Sequence, residues 1–265
     1  MSHAEYTPLP LTGRNAAPAG QLPQEGRVAV VTGGASGIGQ HYALRLAALG
    51  ADVAVADIVA ADETEARGKA LGRRVVSMQC SVGDPEQVAR FGRFVQDQFG
   101  RCDILVNNAG VDPVVAFDDL TFAEWRRIMN VNADGTFLMC QSVAPLMKAN
   151  QYGRIVNIAS CTCWMVRTGF VPYVASKMAI IGLTRALSTE LAPFGITVNA
   201  LAPGLTKTPR TVERGFNFDR NISEKAIRRA GVPEDLLSAL EFLTSPASSF
   251  ITGQTVVVDG GHIRV

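Results

Sequence analysis

From Arg27 onward, seven short runs rich in β-branched residues alternate with longer amphipathic stretches, and most of the runs are apolar on both faces. They fall at 28–32, 52–56, 74–77, 103–106, 154–158, 197–200 and 255–258. A strand with one solvated face alternates polar and apolar side chains, whereas a strand covered by helices on both sides stays apolar throughout. The pattern therefore predicts an α/β protein built on a doubly wound, seven-stranded parallel sheet with helices on both faces. At 265 residues with 47% apolar, the chain is large enough for one well-buried core. No linker or internal repeat divides it, which predicts a single domain over 25–265.

Charge excludes several functions. Acidic and basic residues leave a formal net charge of +1, so neither a nucleic-acid footprint nor a membrane-surface patch is expected. The longest apolar runs, such as Met178 to Leu183, are far shorter than the roughly 20 residues that span a bilayer. Residues 1–24 carry Pro8, Pro10, Pro18 and Pro23 among small and polar neighbours, without a secretory signal, and are expected to form a flexible arm. Five cysteines (Cys80, Cys102, Cys140, Cys161, Cys163) show no disulfide framework and predict reduced thiols in the cytoplasm. Cys161 and Cys163 invite a metal reading, but with only His3, His41 and His262 there is no second ligand pair, so no metal is expected.

Helix boundaries are written in the chain. Asp84-Pro85-Glu86-Gln87 offers an N-cap, a proline at the first helical position and a capping-box partner. Thr121 with Glu124 repeats the cap before a long helix through Trp125, and Pro193 and Gly195 close the helix that holds Tyr173. Residues 205–229 break the strand-helix rhythm and are a candidate lid.

The first run ends in Thr32-Gly33-Gly34-Ala35-Ser36-Gly37-Ile38-Gly39, followed by a helical stretch from Gln40. Glycines there let backbone N–H groups approach a pyrophosphate, aided by the positive end of the helix. A glycine-rich turn alone equally suits a tight strand-helix connection. Asp57 adds specificity: at the end of the second run, it can accept hydrogen bonds from the adenosine ribose hydroxyls and would repel a 2′-phosphate. Neither Ser36 nor Ile58 brings the positive charge such a phosphate needs, so NAD is expected rather than NADP.

Tyr173 and Lys177 stand four residues apart on one helical face. A free phenol, with a pKa of about 10, is a poor base at neutral pH, and a nearby ammonium favours its ionised form. Ser160, at the end of the fifth run, can bind the same reacting oxygen. Gly33, Asp57, Asn108 and Ser160 all lie at carboxyl ends of strands, where ligands gather in open parallel sheets.

Together with Asn107-Asn108-Ala109-Gly110, Asn132-Ala133-Asp134-Gly135, Pro203-Gly204, Thr252-Gly253 and Asp259-Gly260-Gly261, these motifs resemble the short-chain dehydrogenase/reductase family of the tetrad type, over residues 26–261. The resemblance implies a Rossmann fold and a homotetramer built partly through the helices after Thr121 and Val171. It implies that Tyr173 is the general acid/base, that Ser160 orients the substrate oxygen, that Lys177 lowers the tyrosine pKa and bonds the nicotinamide ribose, and that Asn132 anchors a water. An asparagine at position 132 equally suits the plain task of satisfying backbone groups. Cofactor contacts are implied for Gly33, Ser36, Gly37, Ile38, Gly39, Asp57, Ile58, Ser81, Val82, Asn108, Ala109 and Gly110. Tyr173, Lys177, Pro203, Gly204, Thr206 and Thr208 complete that set. Ser81 replaces the family's usual aspartate and Thr206 its usual aliphatic residue.

Substrate walls are expected from Val114, Cys161, Trp164 and Phe170, with Val115, Cys163 and Met165 nearby, which suits a hydrophobic or aromatic ketone. Large apolar residues also pack internally, so core roles stay open for these. Two stretches, 100–110 and 250–255, are similar to those of bacterial 1-phenylethanol and pyridoxal 4-dehydrogenases. An acyl-carrier or β-keto ester reductase, greeting its carrier through Arg126 and Arg127, is a second reading. A nucleotide-binding sensor without turnover is a third, which an intact Ser160, Tyr173 and Lys177 argues against.

Overall fold

Seven strands form one parallel sheet in the order β3-β2-β1-β4-β5-β6-β7, in a computed structural model that describes residues 21–165 and 167–264. They are β1 Val28–Thr32, β2 Asp52–Asp57, β3 Val75–Gln79, β4 Ile104–Asn107, β5 Gly153–Ile158, β6 Ile196–Pro203 and β7 Thr255–Val258. All seven predicted runs are strands, although most ends move by one to three residues. The sheet order reverses beside β1, where β1 pairs with both β2 and β4, and that switch point is where a crevice opens.

Alternate side chains of one strand serve different layers. Ala29 and Val31 face a cluster with Tyr42, Leu46 and Leu240, whereas Val30 faces Phe91, Val95, Met139 and Val143. The first layer is α1 (Gly37–Ala48) with α9 (Leu237–Thr244); the second is α3 (Pro85–Phe99) with α5 (Gly135–Ala149). Burial on both faces is the physical reason the strands read as unbroken apolar runs. The remaining helices are α2 (Asp62–Ala70), α4 (Phe122–Met129), α6 (Val171–Leu191), α7 (Pro209–Glu213) and α8 (Phe218–Ser223).

Of the predicted arm, residues 1–20 lie outside the described residues. Its last residue belongs to the domain: Gln24 is buried, its amide side chain donating to Thr244 O at 3.2 Å and its backbone N–H to Leu49 O at 2.8 Å. The caps act nearly as expected. Asp84 accepts from the N–H groups of Glu86 and Gln87, but the Gln87 amide turns to Ser81 N–H (2.9 Å) and to the Asp84 carboxylate (2.7 Å) instead of returning to the Asp84 backbone. Thr121 accepts from Glu124 N–H at 3.2 Å, while Glu124 is forked onto Arg127. The long helix predicted from Thr121 is interrupted: one π-helical stretch, Asn130–Asp134, separates α4 from α5.

Asp103, wholly buried just before β4, ties its loop to the start of β1. Its Oδ2 accepts from Val28 N–H at 2.9 Å and Arg101 Nε at 2.8 Å, and its Oδ1 lies 2.7 Å from Arg101 Nη2. Asp103→Ala strips the start of β1 of its acceptor and leaves the arginine unpaired, at an expected cost of about 2–4 kcal/mol. Thermal melting should fall by roughly 5–12 °C for a domain this size. A variant melting with the parent would show that Asp103 carries none of that stability.

Candidate active site

The carboxyl ends of β1, β2, β4, β5 and β6 open into one cavity of ≈ 650 Å³. At its β1 end the chain turns sharply, with Gly33 and Gly37 at φ of 66° and 57°. Gly39 is demanded by packing: a Cβ there would lie 2.0 Å from Gly33 O. Thr32 Oγ1 accepts from the N–H groups of Asn108 (3.0 Å) and Ala109 (2.9 Å), and Asn108 Nδ2 donates to the carbonyls of Thr32 and Gly33. Asn108 thus welds the turn to β4. Ser36 sits at the N-cap of α1 without capping through its side chain, so the first-turn N–H groups keep their capacity for an anion.

Asp57 closes β2 with Oδ2 on Ala35 N–H at 2.9 Å and Oδ1 3.3 Å from Val59 N–H. Its carboxylate is therefore held against the glycine-rich turn, with lone pairs left on both oxygens. Ile58 stands exposed on the rim, and Ser81 and Val82 line the same end.

Ser160 follows β5 and opens a 3₁₀ turn, Cys161–Cys163, its Oγ accepting from Thr162 N–H at 3.2 Å and lying 2.9 Å from Thr162 Oγ1. Tyr173, on the first turns of α6, meets Ser160 across the cavity and packs edge-on against Phe170 at 5.9 Å. Burial pushes its phenol above the ordinary range, and a hydrogen bond from Ser160 draws it partly back. Lys177 is buried with Nζ 2.6 Å from Ile158 O and 5.7 Å from the centre of the Tyr173 ring. Burial lowers its pKa to about 8. Burial dominates the phenol, and the Lys177 ammonium bonds a main-chain carbonyl rather than the phenol itself.

Asn132 lies in the π-helical stretch, fully buried. Its Oδ1 accepts from Val111 N–H at 2.8 Å, and its Nδ2 donates to Val111 O and Ser176 Oγ, both at 2.9 Å. Ser176 Oγ donates in turn to Tyr173 O at 2.7 Å. Both amide hydrogens are committed, so the side chain positions the β4 loop and α6, and Oδ1 keeps one lone pair as an acceptor. Gly110 sits against this group: a Cβ on it would approach Asn132 Oδ1 at 3.2 Å and Lys177 Nζ at 3.6 Å.

Pro203 at the end of β6, and Gly204, Thr206 and Thr208 beyond it, line the cavity. Thr206 Oγ1 donates to Gly204 O at 3.0 Å, and Thr208 and Thr211 cap α7 reciprocally. Residues 205–229 are held across the mouth at both ends. Arg210 and Arg214 both bind the Asp112 carboxylate, with Arg214 Nη1 at 2.8 Å. Ile227 N–H donates to Gly260 O at 2.8 Å.

Of the predicted substrate residues, Cys161 and Phe170 line the cavity and Val114 and Trp164 do not. Val115 N–H bonds Gly169 O at 3.0 Å, which turns Val114 onto the loop before α6 and leaves it 55% exposed. The 3₁₀ turn sends Trp164 outward, and Met165 lines the wall instead, its Sδ 3.6 Å from Cys161 Sγ. Cys163 packs on Ile180 and Ala159. Asp112, Arg127, Arg167, Arg210, Phe216 and Asn221 also line the cavity, and none of them was expected from the sequence to do so.

Residues 33–262 match the family profile described as enoyl-(acyl carrier protein) reductase. The (2S)-[(R)-hydroxy(phenyl)methyl]succinyl-CoA dehydrogenase subunit BbsD of Thauera aromatica is 42% identical, over 90% of this chain and 97% of its own. The 3-oxoacyl-[acyl-carrier-protein] reductase of Synechocystis sp. is 37% identical over 89% and 97%. A solved 7α-hydroxysteroid dehydrogenase, complexed with NADH and 7-oxo glycochenodeoxycholic acid, superposes with a TM-score of 0.88 at 32% identity, over 92% of this chain and 97% of that one. Fold, motif order and near-complete coverage agree, and the chain belongs to the short-chain dehydrogenase/reductase family.

Proposed function

We propose that this protein is an NAD-dependent oxidoreductase acting on a secondary alcohol or ketone of hydrophobic or aromatic character, with Tyr173 as general acid/base. The observation that carries the reading is convergence: a serine hydroxyl, a phenol and a buried ammonium meet at one end of a cavity whose other end is the glycine-rich turn and Asp57.

The residues fit the dinucleotide. Gly39 leaves no room for a side chain beside Gly33, the first turn of α1 lacks a side-chain cap, and Asp57 ends β2 beside that turn. The turn and α1 would hold the pyrophosphate, Asp57 the adenosine ribose, and Lys177 the nicotinamide ribose. Bound there, the nicotinamide supplies the acceptor or donor of the hydride. Ser160 hydrogen-bonds the substrate oxygen, and Tyr173 Oη takes the hydroxyl proton in oxidation and returns it in reduction. Cys161, Met165, Phe170 and Phe216 make the wall apolar and exclude water.

An acyl-carrier reductase is the second reading, kept because of the Synechocystis relative's name. Against it, Arg127 is already forked onto Glu124, and Asp57 disfavours the NADPH expected for that role. The described residues include no helix long and apolar enough to cross a membrane, and all five cysteines are unpaired, as a cytoplasmic enzyme would have them. Exposed Phe122, Phe137, Val171 and Met178 on α4, α5 and α6 suit a homotetramer. A panel of aromatic secondary alcohols, pyridoxal-like alcohols, sugars and β-keto esters, followed by NADH absorbance, tests the activity. Turnover of acyl-carrier thioesters above all small substrates would favour the second reading instead.

A further inference from the structure

Six ionised side chains line the cavity: the cations Arg127, Arg167, Lys177 and Arg210, and the carboxylates Asp57 and Asp112. The cationic excess is not evenly available. Arg127 is forked onto Glu124, Arg210 is bound to Asp112, and Lys177 bonds a main-chain carbonyl. Arg167 is the least committed. Among the described residues its one charged partner is Glu224 at 3.7 Å, and that carboxylate is shared with Arg220 at 3.2 Å and His262 at 3.3 Å. At that length an arginine-carboxylate contact is a loose ion pair rather than a fork of short hydrogen bonds.

Arg167 lines the same cavity as Ser160 and Tyr173. Its charge reaches the Cys161 thiol, opposing the burial that pushes that group up to about 12, and Cys161 follows Ser160 directly. A second, independent feature lies on the same wall. Asn221, on α8, is 3% exposed and lines the cavity, its Nδ2 lies 3.3 Å from His262 Nδ1, and its Oδ1 is buried with no partner. A buried amide oxygen without a donor is uncommon, and a ligand's O–H or N–H is one way to satisfy it.

Resting on the oxidoreductase reading above, we propose that Arg167 is the specificity-determining residue of a carboxylate subsite, so that the preferred substrates are hydroxy or oxo acids with an apolar body. Glu224 is the resident counter-ion that keeps the guanidinium oriented while no carboxylate is bound. Asn221 Oδ1 takes a hydroxyl or amide donor on the same molecule. The apolar wall holds the body of the substrate and Arg167 its charged end, which distinguishes an acid from its ester at the same carbonyl.

The test uses two matched pairs: 4-oxo-4-phenylbutanoate against its methyl ester in reduction, and 3-hydroxy-3-phenylpropanoate against its methyl ester in oxidation. The full-length protein should favour the acid over the ester by roughly 10- to 100-fold in kcat/KM, the worth of one charge-assisted contact. In Arg167→Gln that acid-to-ester ratio should collapse toward one, mostly through KM for the acid, and Arg167→Lys should restore part of it. Esters turned over as well as acids by the parent, or an unchanged ratio in Arg167→Gln, overturns the subsite. A parent that binds NADH but turns over neither acids nor esters nor any neutral alcohol defeats the underlying activity itself. A parent active on neutral ketones alone defeats only the carboxylate.

Discussion

Tyr173→Phe should bind NADH within about threefold of the parent and lose turnover by a factor of about 10³ or more, in line with the usual worth of general acid/base catalysis at its upper end. The substitution is narrow. Phenylalanine keeps the ring that meets Phe170 edge-on at 5.9 Å and underlies Lys177, so only the oxygen beside Ser160 is lost. A fall in kcat with intact NADH binding, measured by fluorescence titration, separates proton transfer from folding. Near-normal turnover would remove Tyr173 from its role.

The same group sets a direction for pH. Burial holds the free phenol above its ordinary value, so at neutral pH it is protonated and ready to donate. Ketone reduction, which needs the protonated form, should hold steady and then fall as pH rises. Alcohol oxidation, which needs the deprotonated form, should climb with pH from neutrality to beyond about 10, the ordinary phenol value. Lys177, with a pKa of about 8, loses its charge within that window and blunts the climb. Oxidation that slows with rising pH across the whole range would contradict the assignment.

What could be read from the sequence follows from how local each feature is. The strands were legible because burial on both faces leaves its mark within five or six residues, as in β1. The glycine-rich turn, Asp57 and the Tyr173-Lys177 pair were legible because their geometry is fixed by one turn or one helix. The π-helical stretch was not, since its Asn132 is held by Val111 and Ser176, 21 and 44 positions away. The substrate wall failed for the same reason. Whether Trp164 or Met165 faces the cavity depends on the 3₁₀ turn after Ser160, and Val114 is turned away by Gly169. In the lid, α7 takes its place from Asp112, 98 positions before Arg210, and no periodicity within 205–229 encodes that clasp.

Asp57 should make the enzyme prefer NAD to NADP by roughly 10²- to 10³-fold in kcat/KM, because a carboxylate beside a 2′-phosphate costs several kcal/mol. Arg127, the cavity-lining cation that belongs to neither the lid, α6 nor the loop before α6, is neutralised by Glu124 and does not compensate. The carboxylate has two tasks, repelling phosphate and holding Ala35 N–H, and a simple truncation would confuse them. Asp57→Asn separates them, since its amide oxygen can still accept from Ala35 while the charge is gone. That variant should gain about 10- to 100-fold with NADP and lose only a few-fold with NAD. Because the site is partly open, part of the discrimination should also fade at about 1 M salt, where the screening length is near 3 Å. A parent that prefers NADP would refute the reading of Asp57. A variant whose two cofactors fall together would mean that the carboxylate shapes the glycine-rich turn and does not choose between them.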